Sequence, residues 1–397
     1  MRRLGALALL LLAPPLSAQV GAPWRASYYP YLMGNSSTGL LLVGHYHLAR
    51  PAEYEARVPF DGIFSAEAGW STNNSRFVAA RFRGPLLVPG WRFAADAGAG
   101  RETRFGYYGS GPDGSDTTLT PGSVFGEEFF RMGRARYFVR GEVTRRIAGP
   151  FSVAVAGAFT HYRFSSSKDG SVFDSDYLAQ PLFGNDLTGR LTLVLDTRDD
   201  EYVPANGLFF EAGLYGGSGK FEERSLPPPG GPPGPIVATF SEGGYAGGYL
   251  HLRGYVSPRG GTVIAGRFAT RALDRGAPLD ARYVLPGWER DLTVLGGADS
   301  HRSFVPGRFA GRGVMMASLE VRHNLLDLGD LGAVTVIGFV DGGRAFGDQG
   351  LRWTLDGWKV GGGGGVAIRV LRSAPLIMNF AGGPDGFVFT MGNGWSF

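Results

Sequence analysis

The sequence predicts an all-β chain, a transmembrane antiparallel barrel of about 16 strands. Three observations carry that expectation. The chain opens on a secretory leader. Apolar and charged residues alternate with a period of two along much of its length. After the leader no run of about 18 apolar residues offers a spanning helix. Inside lipid every backbone N–H and C=O needs a partner within the protein, so an exported chain without a helical span crosses a bilayer by closing a sheet on itself.

The leader is "MRRLGALALLLLAPPLSAQV". Two arginines precede the apolar run Leu4 to Leu12, Pro14-Pro15 breaks any helix, and Leu16-Ser17-Ala18 suits cleavage after Ala18. An uncleaved anchor is the alternative, but the run is far short of the ~20 residues that a spanning helix needs. The expected organisation is a signal peptide at 1–18 and one barrel domain at 19–397.

Composition narrows the partners. The chain has 397 residues and a formal charge of +4, scattered without a basic stripe, so nucleic acid is not an expected partner. Lysine occurs only at Lys168, Lys220 and Lys359; the remaining cations are arginine. With Cys 0 there is neither a disulfide scaffold nor a thiolate metal site.

Strands are expected near 25–34, 38–49, 60–72, 75–84, 90–105, 129–146, 150–165, 187–197, 206–219, 239–256, 260–273, 311–323, 332–346, 356–371, 374–382 and 386–397. In "GRARYFVRGEVT", Ala135, Tyr137, Val139 and Val143 oppose Arg134, Arg136, Arg140, Glu142 and Thr144. In "LTGRLTLVLD", Leu187, Gly189, Leu191, Leu193 and Leu195 oppose Thr188, Arg190, Thr192 and Asp196. In "GLFFEAGLY", Leu208, Phe210, Ala212 and Leu214 oppose Phe209, Glu211 and Tyr215. In "VMMASLEVR", Met315, Ala317, Leu319 and Val321 oppose Ser318, Glu320 and Arg322. The last segment, "GFVFTMGNGWSF", puts Phe387, Phe389, Met391, Trp395 and Phe397 on one face. A soluble β-sandwich also alternates, but faces with two or three ionisable groups per strand suit a polar lumen, with the apolar faces turned to lipid.

The connections sort by length. Long ones at 106–128, 166–186, 220–238 and 274–310 fall on one side, and short ones such as "IAGP" and "SPRGG" on the other. An even strand count returns the chain to the side on which it began. "SLPPPGGPPGP" at 225–235 cannot pair in a sheet and is expected as an exposed outer loop.

The segment "DTRDDEYVPANGLFFEAGL" (196–214) reverses the chain through an acidic and basic turn, Pro204 and Asn206-Gly207. With Asp196, Arg198, Asp199 and Gly207 in place, it resembles the turn motif of the BamA/TamA-like outer-membrane barrel superfamily, the bacterial surface antigen family. Four segments follow in that family's order: "LGGADSHRSF", "ASLEVRHNL" (317–325), "FVDGGRAF" (339–346), and "GGGVAIRV…APLIMNFA" (363–381) with the terminal strand. Thr390, Gly392, Trp395 and Phe397 fit the family's C-terminal assembly signal.

The resemblance implies a 16-stranded barrel whose sixth outer loop folds into the lumen, tipped here by Arg302, Ser303 and Phe304. It implies wall carboxylates for the loop arginine, at Glu320 and Asp341. The residues allow this independently: Glu320 lies opposite Leu319 and Val321, and Asp341 follows the apolar run "VTVIGFV". It further implies a factor that helps proteins insert into or cross the outer membrane of a Gram-negative-type bacterium, opening the seam between first and last strands. Outer-membrane lipid and a client outer-membrane or secreted protein would be its partners, and the assembly machinery would insert the chain itself after Sec-type export. Large members carry periplasmic POTRA domains. Residues 19–24, between the cleavage site and the first strand, leave no room for one, so a separate periplasmic partner is expected in their place. Ser303 stands where the family usually has Gly.

A passive pore or structural barrel is the alternative function, with Arg134, Arg136, Arg140, Arg190 and Arg322 favouring anions in the lumen. An outer-membrane enzyme is the third. No catalytic residue, cofactor or metal is expected. The six histidines, His45, His47, His161, His251, His301 and His323, show no H-E-x-x-H spacing; His45 and His47 share a strand face, where a girdle or lumen role is expected. No G-x-S-x-G elbow occurs, and "GGGGGVAIR" (361–369) lacks the Lys of a phosphate loop and reads as a bend where strands pack or open.

Overall fold

The computed structural model describes residues 23–35, 37–109, 126–177, 182–225, 237–347, 349–370 and 374–397. The leader at 1–18 and all of 225–235 but its first residue lie outside them.

Sixteen strands close into one antiparallel barrel. They are β1 (Arg25–Asn35), β2 (Gly39–Pro51), β3 (Phe60–Ser71), β4 (Arg76–Val88), β5 (Trp91–Gly106), β6 (Arg131–Ala148), β7 (Phe151–Ser166), β8 (Leu182–Asp196), β9 (Gly207–Ser225), β10 (Val237–Arg259), β11 (Thr262–Leu273), β14 (Gly313–Asp327), β15 (Gly332–Phe346), β16 (Lys359–Val370), β17 (Leu376–Gly383) and β18 (Gly386–Asn393). β12 (Val284–Leu285) and β13 (Leu292–Thr293) form a separate small hairpin inside the long connection from β11 to β14. Each barrel strand pairs with its chain neighbour, and β11 pairs with β14 across that connection. Among the described residues no helix is long and apolar enough to cross a membrane, so spanning falls to the strands.

The burial pattern is inverted relative to a protein folded in water. Leu187 and Leu191 on β8 are 63% and 51% exposed, whereas Arg190 between them packs inward. On β14, Leu319 and Val321 are exposed while Glu320 and Arg322 are buried. A sheet of this kind in water would leave its apolar face wet and its charges desolvated, at a cost on both counts. Hydrocarbon against the outer face removes the first cost, and ion pairing inside offsets the second. A sandwich with an apolar centre is excluded by the same pattern.

The closure is uneven. β1 pairs with β2 along its whole length, from Arg25↔Ala49 to Asn35↔Gly39. Against β18 its pairing is confined to Gly34↔Met391 and Asn35↔Thr390. Most of β1 therefore presents unbonded backbone groups on its β18 side, and Pro30 has no N–H to offer there.

One expectation needs correction here. The period-two face expected to run from Phe387 to Phe397 breaks at its end. β18 stops at Asn393, and Gly394 takes φ 88°, a left-handed conformation that turns the chain out of the sheet. Phe387 is 69% exposed, but Phe397 is only 5% exposed. The Arg267 guanidinium sits 4.6 Å from the Phe397 ring and Arg322 sits 4.0 Å from the Trp395 ring. Arg322 also donates to the Phe397 backbone oxygen at 2.8 Å. These cation–π contacts and the hydrogen bond hold the last residues off the sheet.

Candidate functional site

The site is built from residues 274–312 and the strand faces they meet. Arg302 contributes its backbone N–H, Nε and Nη2 to Asp341, each at 2.9 Å, and its Nη1 to Glu320. Glu320 also accepts from Arg322 Nε at 2.6 Å. The Arg302 side chain is about 1% exposed and lies 3.5 Å from the Phe339 ring centre. β14 and β15 place these acceptors because Ser318↔Asp341 and Glu320↔Phe339 are paired positions, which sets the two carboxylates on adjacent strands facing one side. A planar fork then bonds one carboxylate in bidentate fashion and reaches the other, a geometry that lysine cannot reproduce.

The rest of the tip packs by shape. Phe304 is buried with Leu285, Leu292, Leu295, Phe309 and Met316, so the small hairpin and the tip share one apolar cluster. Ser303 lies against two glycines. A Cβ at Gly361 would come within 2.2 Å of Ser303 Oγ, and one at Gly383 within 2.9 Å of Ser303 Cβ. Ser303 is not among the non-glycine residues with positive φ, which are Asn74, Glu289 and Leu295, so serine incurs no left-handed strain here. His301 donates from Nε2 to the Lys359 carbonyl, 3.0 Å away. Burial pushes its ring pKa down, so the neutral ring donates to that oxygen.

Further along, the connection reaches strands on the far wall. Trp288 donates through its backbone N–H to Glu211 at 2.5 Å and through Nε1 to Thr144 at 2.9 Å. Glu289 accepts from Arg92 at 3.0 Å, and its carbonyl accepts from Arg83 at 3.0 Å. Asp291 pairs with Arg190 at 2.8 Å and lies 3.6 Å from Arg140. Burial alone would raise the Asp291 carboxyl pKa; Arg190 and Arg140 outweigh it and hold the group below the ordinary value.

Two arginines that sequence reading missed hold the connection by its backbone. Arg271 donates to the carbonyls of Ala281, Val284, Arg282 and Gly311. Arg267 donates to the carbonyls of Asp299 and Ser300, to that of Ser396, and to Ser318 Oγ. Their only sequence signal is position: both lie on one face of β11, four residues apart. On the long-loop side Tyr283 of the connection packs into an aromatic cluster with Phe105, Tyr107, Phe130, Tyr162, Phe164 and Phe173.

The turn motif forms a second constellation at the opposite rim. Arg198 grips Asp196 through Nε at 2.9 Å and Nη2 at 2.8 Å, and Arg57 reaches the same carboxylate at 3.0 Å. Asp199 accepts backbone N–H bonds from Asp200, Ala205 and Asn206. Gly207 takes φ 114°, and a Cβ there would lie 2.5 Å from the Thr197 carbonyl. The turn is tied to the long connection through Arg92, which bonds Glu201 at 2.8 Å as well as Glu289. The C-terminal signal residues divide: Thr390 and Gly392 lie in β18, while Trp395 and Phe397 lie beyond it against Arg322 and Arg267.

No protein-family model and no curated protein matches the sequence. Solved structures do. BamA from Haemophilus ducreyi lacking POTRA domains 1–3 superposes with TM-score 0.55 at 14% identity, over 94% of this chain and 71% of that one. CdiB from Escherichia coli superposes with TM-score 0.51 at 13% identity, over 94% of this chain and 67% of that one. This chain spans 60% of the CdiB from Acinetobacter baumannii, at 12% identity and TM-score 0.49. At such identities the likeness is one of architecture: this chain has the fold of the BamA- and CdiB-type outer-membrane β-barrels.

Proposed function

We propose that the protein is an outer-membrane factor that assists a client protein to insert or cross, working through the seam between β1 and β18, with the connection 274–312 folded into the lumen as its latch. The carrying observation is the seam itself, paired at Gly34↔Met391 and Asn35↔Thr390 while every other barrel interface runs along most of its strands. Unbonded strand edges in lipid are costly unless a partner strand completes them, and a client β-strand is the partner whose backbone does so. The connection supports the reading by occupying polar strand faces from β4 to β16, which leaves little room for a wide aqueous path. Lipid surrounds the outer face, and the outer membrane is the location that this architecture suits.

The test places the mature barrel in liposomes and measures ion conductance beside assisted insertion of a second barrel. Insertion activity is the expected result. A disulfide between cysteines replacing the paired Asn35 and Thr390, in a chain with Cys 0, should abolish it and thiol reduction should restore it. Conductance without insertion would leave a passive pore and remove this reading.

A further inference from the structure

We propose that His45 and His47 form a binding site for one divalent transition-metal ion, of the zinc or nickel kind, on the inner face of β2. The two residues are i and i+2 on a strand, so both rings leave the same face. His45 Nε2 and His47 Nδ1 stand 3.1 Å apart. An ion about 2.05 Å from each nitrogen would see them at an angle of about 98°, between square-planar or octahedral and tetrahedral values.

The support behind His45 is the arrangement that zinc ligands use. Its Nδ1 lies 2.9 Å from Glu67 Oε1. Glu67 already accepts from the Tyr31 hydroxyl at 2.8 Å and from Arg81 at 2.7 Å, so the carboxylate is the acceptor and His45 Nδ1 the donor. That fixes the proton on Nδ1 and leaves the Nε2 lone pair facing His47, with the ring oriented by the carboxylate. An ion entering between the rings takes the place of the hydrogen bond that joins them: the His47 proton moves from Nδ1 to Nε2 through solvent, so the ring stays neutral and no net proton is released. Imidazole nitrogen favours zinc, nickel and copper over calcium and magnesium. Solvent reaches the place, because His45 and His47 are both only partly buried, the His45 side chain being 12% exposed. Among the described residues no group of three or more His, Cys, Asp or Glu is placed to hold an ion, so water completes the coordination and the site is exchangeable.

The site also bears on the seam. The Tyr29 ring packs against His45 at 4.7 Å, tilted by 32°, and Tyr31 bonds Glu67, so β1 is tethered to the same cluster. The experiment titrates untagged mature protein in detergent with zinc chloride and nickel chloride, against a chromophoric chelator and by calorimetry. One equivalent is expected, and calcium chloride should give none. His45→Gln and His47→Gln should each lose the equivalent, Glu67→Gln should weaken it about 10- to 100-fold, and His161→Gln should leave it intact. Heat-modifiable migration on gels checks that each variant is a folded barrel, and Glu67→Gln with His47→Gln suffice if His45→Gln does not fold. No bound equivalent in the wild type, or an equivalent that survives in both histidine variants, would overturn the proposal.

Discussion

Replacing Arg302 with alanine tests how the connection 274–312 is held. The substitution deletes Nε, Nη1 and Nη2 and leaves the backbone N–H of residue 302 on Asp341. Glu320 keeps Arg322 at 2.6 Å, so the orphaned charge is mainly Asp341, which is about 1% exposed. Removing one partner of a buried pair costs about 3–5 kcal/mol, because the other charge stays desolvated and uncompensated. If that cost falls on the closed position of the loop, its release becomes roughly 100- to 4,000-fold more populated. The assay is limited proteolysis of the folded barrel in detergent, at protease levels where cleavage within 274–310 follows the open population. Arg302→Lys should sit between wild type and alanine, since an ammonium keeps charge without the fork. The double variant Arg302→Ala/Asp341→Ala should be cut more slowly than Arg302→Ala, because the stranded carboxylate is gone. The reasoning is refuted if Arg302→Ala is cut at the wild-type rate.

Other expectations follow from the same contacts. Gly361→Ala would set a Cβ 2.2 Å from Ser303 Oγ and 2.8 Å from the Gly382 carbonyl, so it should loosen the loop tip and speed cleavage; Ser303→Gly in the same chain should restore part of the protection, and no restoration would exclude the steric account. Asp199 has its carboxyl held below the ordinary value: burial raises it, and the N–H groups of Ala205, Asn206 and Asp200 outweigh that. A depressed folded value gives stability that is complete above the unfolded value of about 3.9 and lost as pH falls through the folded one. The amides of Ala205 and Asn206 should therefore stay protected from exchange between pH 7 and 5 and lose protection below about 4, and Asp199→Asn should flatten the profile. An identical profile in that variant would assign the change to another group.

The barrel was legible because lipid and lumen impose opposite demands on alternate residues. Arg190 between Leu187 and Leu191, or Glu320 between Leu319 and Val321, states the strand and its orientation together. The ion-pair partners Glu320 and Asp341 were reached through resemblance and strand polarity. What stayed hidden had no periodicity to show. β12 and β13 are two residues each, too short to alternate. Arg267 and Arg271 bind backbone carbonyls, which every residue carries and no motif marks. At the C-terminus the pattern continued to Phe397 while the chain did not, because Gly394 turns it inward toward two arginines that lie far away in sequence. The glycine run at 361–365 was visible, but which glycine receives Ser303 depends on a loop some sixty residues earlier.

Arg92 holds Glu201 of the turn between β8 and β9 and Glu289 of the connection between β11 and β14 with a single guanidinium. These segments belong to opposite mouths of the barrel. Drawing the loop outward would take Glu289 with it and leave Arg92 matched to Glu201 alone, so the charge balance felt by the β8–β9 turn would change by one unit. Tilting the turn away does the reverse to the loop. Through this one side chain, a displacement of either segment would alter the electrostatic surroundings of the other.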